Sequence, residues 1–177
     1  MVAATPVDAR STAVIAGVEA INPRWILHLP SSTLKAVVGH FLAKDGQDGF
    51  RCVPIPREEE GIGILSGLAL TGTPAVMIIQ DNGIGNLLTA LNTFPQPYHL
   101  PLLIIVTRRG GLAEYNSMIH TFSERSEAIL DAAIEMISTL CIASGPWWVG
   151  AQQLGSRPAS FARLGTASLL ASGIVLG

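Results

Sequence analysis

Ala75-Val76-Met77-Ile78-Ile79-Gln80-Asp81-Asn82-Gly83-Ile84-Gly85-Asn86 is the stretch on which the fold turns. Its first five residues are an unbroken apolar run of strand length, the habit of a central strand buried on both faces. A polar, glycine-containing turn follows at once, and beyond it Leu87, Leu88 and Leu91 carry helical spacing. In an open parallel sheet, ligands sit just outside the carboxyl ends of strands, where such a turn presents free N–H groups at a helix start. A lone Gly-x-Gly is weak by itself, and a tight strand-to-helix turn with Asn82 as a cap accounts for the same residues.

Working outward, short apolar runs at 25–29, 50–55 and 102–107 read as three further strands. A helix is predicted over 11–21, ended by Asn22-Pro23, and another over 33–44, where Leu34, Val37, Val38, Phe41 and Leu42 share one face before Asp45-Gly46 closes it. This alternation predicts an α/β fold, a mostly parallel sheet with helices on both faces. After the fourth strand comes a loop at Gly110-Gly111. Thr121 and Glu124 have capping-box spacing, and Ile129, Ala133, Met136 and Leu140 form a stripe that predicts a helix over 124–140. From Gly145-Pro146 onward no clean period survives, so the chain divides into a domain over 1–144 and a divergent tail over 145–177.

A chain of 177 residues, 49% hydrophobic and 14% charged, is long enough for one domain with a sizeable core. The net charge of -2 and the lack of any basic run exclude a nucleic-acid footprint. All 13 acidic residues lie at or before Glu135, whereas residues 136–177 keep only Arg157 and Arg163 as charges. The apolar end, 164–177, falls short of the roughly 20 residues a bilayer span requires, so no membrane partner is expected. Asp8 and Arg10 interrupt the beginning, which argues against a signal peptide and makes the cytoplasm the default location. Cys52 and Cys141 allow one bridge at most, stand in no metal-ligand spacing, and read as reduced, small apolar residues.

Four places carry residues suited to chemistry. The first is Arg57-Glu58-Glu59-Glu60-Gly61-Ile62-Gly63-Ile64-Leu65-Ser66-Gly67. Three carboxylates opening a helix complement its dipole, and a solvated acidic turn explains them. Against that reading stand three glycines, each costing about 1 kcal/mol in a helix interior relative to alanine. Close approach of a ligand or a second backbone is the usual reason for such a sequence. The second place is the turn Gln80 to Asn86. The third is His28-Leu29-Pro30-Ser31-Ser32, which also fits a loop and helix cap. The fourth is Arg108-Arg109 at the fourth strand's end, a surface pair or an anion-binding pair, with His120 beyond it as an acid–base group or a surface histidine.

The order of these pieces is specific. Leu29-Pro30-Ser31-Ser32-Thr33-Leu34-Lys35, Arg57 to Gly67, Gln80 to Asn86, and Pro101-Leu102-Leu103-Ile104-Ile105-Val106-Thr107-Arg108-Arg109-Gly110 together resemble the pyrimidine-binding domain of the sulfopyruvate and phosphonopyruvate decarboxylases, over about residues 14–133. The resemblance implies the thiamine-diphosphate-binding fold of pyrimidine type. It implies Glu58, with Glu59 as second choice, as the catalytic carboxylate bonded to N1' of the cofactor's pyrimidine ring. Asn82, Gly83 and Asn86 match the loop beside that ring. Ser32 matches a serine facing the substrate, Arg108 and Arg109 are assigned to the substrate's acidic group, and His120 falls near a family histidine as a further catalytic candidate. The family's diphosphate-and-magnesium motif is missing: Lys44-Asp45-Gly46 and Asp48-Gly49 read as turns. No metal ligand is therefore expected here. A beta-type partner subunit is expected to carry the diphosphate-binding domain and magnesium, and the substrate the resemblance implies is a small 2-oxo acid, 3-sulfopyruvate, decarboxylated to sulfoacetaldehyde. Three alternatives stay open: phosphonopyruvate, another 2-oxo acid, or a non-catalytic subunit that keeps the fold.

Overall fold

A computed structural model of the protein describes residues 8–110, 114–133, 138–143, 147–150 and 162–164. The elements follow in the order α1 (Ala9–Ile21), β1 (Trp25–His28), α2 (Lys35–Leu42), β2 (Arg51–Pro54), α3 (Glu58–Leu70), β3 (Ala75–Gln80), α4 (Ile84–Thr93), β4 (Leu103–Arg108), α5 (Ser117–Ser123), α6 (Ser126–Ala133), β5 (Ser138–Ala143), β6 (Trp147–Gly150) and β7 (Ala162–Leu164). The strands form one sheet in the order β2-β1-β3-β4-β5-β6-β7. The first five run parallel, with Ile26 opposite both Cys52 and Val76, and Ile78 opposite Ile105. Strands β6 and β7 add to it antiparallel.

The apolar run of β3 serves two cores at once. Met77 and Ile79 join Leu27, Ile104 and Val106 beneath α3, α4 and α6, through Ile62, Leu65, Leu87, Leu91 and Leu130. Val76 and Ile78 join Ile26 and Ile105 beneath α1 and α2, through Val14, Val18, Leu34, Val37 and Phe41. Helices therefore cover both faces of the parallel sheet, as the alternation of patterns predicts. Each such large side chain, fully buried, stabilises the fold by about 1.5–3 kcal/mol. The helix stops are chemical. Asn22 takes the left-handed conformation (φ 53°) that ends α1, which asparagine tolerates better than most residues. Asp45 Oδ1 accepts the Cys52 N–H, tying the turn after α2 to β2.

Two expectations are corrected. The helix predicted over 124–140 is divided: α6 ends at Ala133, and Leu140 lies in β5, paired with Ile105 of β4. A short apolar run satisfies a helical stripe and a buried strand alike, and here pairing with β4 decides. Thr121 and Glu124 do not open a helix, because Thr121 lies inside α5, which is capped by Asn116 accepting from the Met118 N–H. Residues 144–146, where the sequence changes character, and most of the expected tail lie outside the described residues.

Chain order places the site. From β1 the chain passes to β2 on one side and then to β3 on the other. The carboxyl ends of β1, β2 and β3 thus flank the point where connections diverge, the usual location of a crevice in such sheets.

Candidate active site

Glu58 is the first residue of α3, and α4 begins at Ile84 just past the turn Asp81–Gly83 that leaves β3. The two helices pack side by side and bring these ends together. Glu58 is only 8% exposed. Its Oε2 accepts a hydrogen bond of 2.9 Å from Asn86 Nδ2. A Cβ on residue 83 would stand 2.0 Å from Glu58 Oε1 and 2.5 Å from its Cδ, so only glycine leaves room for this carboxylate. Of the residues drawn from the sequence, Glu58, Gly83 and Asn86 form one cluster. Asn82, between Asp81 and Gly83, is exposed on the same turn.

Glu59 behaves differently. Its Oε1 lies 2.6 Å from Arg57 Nε, while its Oε2 is buried without a hydrogen-bond partner. Of the helix glycines, Gly61 is the one pressed by its own chain: a Cβ there would lie 2.4 Å from Ile55 Cδ1 and 2.9 Å from Met77 Cε. Gly63 and Gly67 meet nothing within 4 Å.

Ser32, Arg108 and Arg109 converge on a second feature. They line a cavity of about 440 Å³ at the carboxyl ends of β1 and β4, together with Arg10, Thr33, Thr107 and Glu114. Both arginines are already paired. Arg108 Nη1 bonds Glu127 Oε1. Arg109 holds Glu114 in a two-point fork, Nε to Oε2 and Nη2 to Oε1, each 2.8 Å. This fork keeps the Glu114 carboxyl well below the ordinary carboxylate range, at about 2, with the Asn116 and Gly110 N–H groups assisting. Ser31 Oγ donates to Gln80 Oε1, which also accepts weakly from Arg109 Nη1 at 3.5 Å, linking the turn after β1 to the end of β4.

His120 lies apart from both groups in its bonding: its Nδ1 stands 3.2 Å from Glu124 Oε1, one turn along α5. Two buried groups lie inside candidate motifs of the sequence but carry no role assigned from it. Asp81, 1% exposed, accepts the Arg109 N–H at 2.8 Å through Oδ2, and burial raises its carboxyl above the usual range. His28, quoted only as part of a loop, is buried with neither ring nitrogen partnered, and burial lowers its pKa. Gln80 heads the second candidate turn without a role assigned from sequence, and Glu114 was not singled out. Glu114's spacing of five residues from Arg109 was the one available signal.

Among the described residues, no three His, Cys, Asp or Glu side chains gather as a metal site, and no helix is long and apolar enough to cross a membrane.

A parallel α/β sheet with a buried carboxylate at its switch point is the setting in which homology becomes informative. Over 35–59% of its length the chain is homologous, at 30–37% identity, to sulfopyruvate decarboxylase alpha subunits from several archaea. It is 34% identical over 90 residues to that subunit from Methanococcus maripaludis, a match covering 51% of this chain and 52% of the relative. Against the subunit from Methanothermobacter thermautotrophicus it is 30% identical over 105 residues, covering 59% and 62%. Phosphonopyruvate decarboxylase of Streptomyces viridochromogenes is 23% identical over 107 residues, covering 60% of this chain and 26% of that protein. No family model matches. The chain thus spans between half and two thirds of the length of the alpha subunits of Methanococcus maripaludis and Methanothermobacter thermautotrophicus.

Proposed function

We propose that this chain is the pyrimidine-binding, alpha-type subunit of a thiamine-diphosphate-dependent 2-oxo acid decarboxylase that converts 3-sulfopyruvate to sulfoacetaldehyde and carbon dioxide. It works with a beta-type subunit carrying the diphosphate-binding domain and the magnesium ligands. The observation that carries the reading is the Glu58 carboxylate, buried at the head of α3, held by Asn86 and seated where residue 83 has no side chain.

These residues fit a pyrimidine ring. A carboxylate withdrawn from water, with one oxygen bonded to Asn86, is suited to sharing a proton with a ring nitrogen, since its alternative partners have been removed. Glu58 would hold that proton at N1', with Asn82 and Asn86 beside the ring and Glu59 in reserve. Thiamine diphosphate, when bound, supplies the electron sink for loss of the carboxylate. Ser32, Arg108 and Arg109, which line the cavity across the strand ends from Glu58, would draw in the substrate's acidic group; the substrate's carboxylate leaves as carbon dioxide and is replaced by a proton. His120 would act as a proton donor only if assembly frees it from Glu124.

The test is decarboxylation of 3-sulfopyruvate by the chain alone and mixed with a beta subunit, each with thiamine diphosphate and magnesium. Activity is expected only in the mixture and should vanish in Glu58→Gln. Activity undiminished by that change would overturn the assignment of Glu58. Phosphonopyruvate is the second substrate to try, because the Streptomyces relative at 23% identity is a phosphonopyruvate decarboxylase, and its preferential turnover would reassign the acidic group.

A further inference from the structure

The cavity at the ends of β1 and β4 stands on the sheet face covered by α1 and α2, whereas Glu58 lies on the face covered by α3 and α4. At about 440 Å³ it is within the range of roughly 300–1,000 Å³ usual for small-molecule sites. Its wall is built rather than incidental. Thr33 Oγ1 reaches Thr107 Oγ1 at 3.4 Å, Ser31 Oγ lies 2.9 Å from both Thr33 Oγ1 and Gln80 Oε1, and Gln80 leads on to Arg109. Arg109 is the central charge: its side chain is 9% exposed, and that of Glu114 is 5% exposed.

The charge of the lining depends on Glu114. With it in place, the lining arginines Arg108 and Arg109 are paired with Glu127 and Glu114, and Asp8 is engaged in capping α1 through the Ser11 N–H. With Glu114 withdrawn, Arg109 would lose its carboxylate partner, while Arg108 keeps Glu127. Glu114 approaches the guanidinium side-on, two oxygens on two nitrogens, the geometry in which arginine recognises any free carboxylate.

We propose that this cavity binds a small organic anion through Arg109, and that Glu114 occupies the guanidinium in the ligand's place until it arrives. The ligand class is a short organic carboxylate, which would take the two-point position of Glu114 on Arg109. Its identity as a sulfonated 2-oxo acid rests on the decarboxylase reading; the presence of an anion site does not. Glu114 is then a specificity-determining residue: weakly binding anions fail to displace it, whereas a ligand that presents a forked carboxylate to Arg109 succeeds. Gln80 and Ser31 are positioning residues, since they reach the ligand only through Arg109.

The experiment is calorimetric titration of the full chain with 3-sulfopropanoate, which carries the carboxylate and sulfonate but cannot lose carbon dioxide, and with inorganic sulfate. Glu114→Gln keeps an acceptor for the loop while removing the competing charge. It should bind 3-sulfopropanoate at least about fivefold more tightly, the lower end of ordinary coupling between sites. The paired change Arg109→Gln with Glu114→Gln, which leaves no buried charge unmatched, should abolish binding. Unchanged or weaker affinity in Glu114→Gln, with circular dichroism and thermal unfolding showing a folded chain, would overturn the proposal, as would wild-type binding by the paired variant. Should the chain bind in the expected pattern while the assembled complex fails to decarboxylate 3-sulfopyruvate, the anion site stands and the decarboxylase reading falls.

Discussion

Glu58 and Gly83 are 25 residues apart in sequence, yet the carboxylate of one fills the space where the other lacks a side chain. Gly83→Ala forces the carboxylate aside. Overpacking of this kind costs about 1–3 kcal/mol, and a misplacement of about 1 Å at a reacting group lowers turnover on the order of a hundredfold. The expected result is a folded chain whose complex loses at least that much kcat. Near-wild-type kcat in a folded Gly83→Ala complex would detach Glu58 from the reaction.

Asn86 donates to Glu58 at 2.9 Å. A hydrogen bond to a charged group contributes about 1.5–3 kcal/mol, so Asn86→Ala is expected to reduce kcat/KM by roughly tenfold to a hundredfold. Steady-state kinetics of the assembled complex check this. Asn86→Asp, which sets two carboxylates against each other, should be more damaging; equal effects of the two changes would count against an electrostatic role.

Glu114 is expected to contribute to acid tolerance. Its carboxyl is held at about 2 in the fold against an ordinary 4.5, so its contribution to stability is complete above the ordinary value and is lost as pH falls through the interval between them. Acid unfolding followed by circular dichroism should show a transition in that window that is blunted in Glu114→Gln. An identical profile in both chains would argue that the fork with Arg109 contributes nothing to the fold.

Asp81 has the opposite sign. Burial raises its carboxyl, so the fold is favoured by this group below its ordinary value of 3.8 and loses that advantage as pH rises toward the raised one. Asp81→Asn keeps an oxygen for the Arg109 N–H and turns an amide toward the Ser123 hydroxyl beside it. Its thermal midpoint at pH 7 should equal or exceed that of the wild type. A lower midpoint would mean that the ionised carboxylate is itself required.

Cys52 is buried in β2 as a free thiol, pushed up to about 12 by burial and the nearby Asp45 carboxylate. Thiolate is the reactive form. In a Cys141→Ser background, alkylation by iodoacetamide at pH 8 should therefore proceed only as fast as the chain opens. Labelling at the rate of a free thiol in the folded chain would show β2 to be poorly held.

The sheet centre was legible because Ala75 to Ile79 and Leu103 to Val106 are unbroken apolar runs, a pattern few alternatives satisfy. Glu58, Gly83 and Asn86 were legible from motif order, which carries information that no single motif does. Leu140 was misread because its stripe with Ile129, Ala133 and Met136 has a helical period, while the feature that places it, pairing beside Ile105, is remote in sequence. The bonding of Glu114 and Gln80 was not legible for a related reason. Their roles are set by loop geometry and by a serine 49 residues away, neither of which leaves a periodic trace.

Strand β1 pairs on both sides with strands that follow it, Trp25 lying opposite Arg51 and Ala75. Neither neighbour exists when β1 leaves the ribosome: the nearer is 26 residues later and the farther 50. At synthesis rates of about 5–20 residues per second, Trp25-Ile26-Leu27-His28 waits on the order of one to ten seconds as an unsatisfied apolar segment. A nascent chain of this topology is thus obliged to shield its future centre during that interval, and slowing translation between codons 30 and 80 is the perturbation to which its yield should be most sensitive.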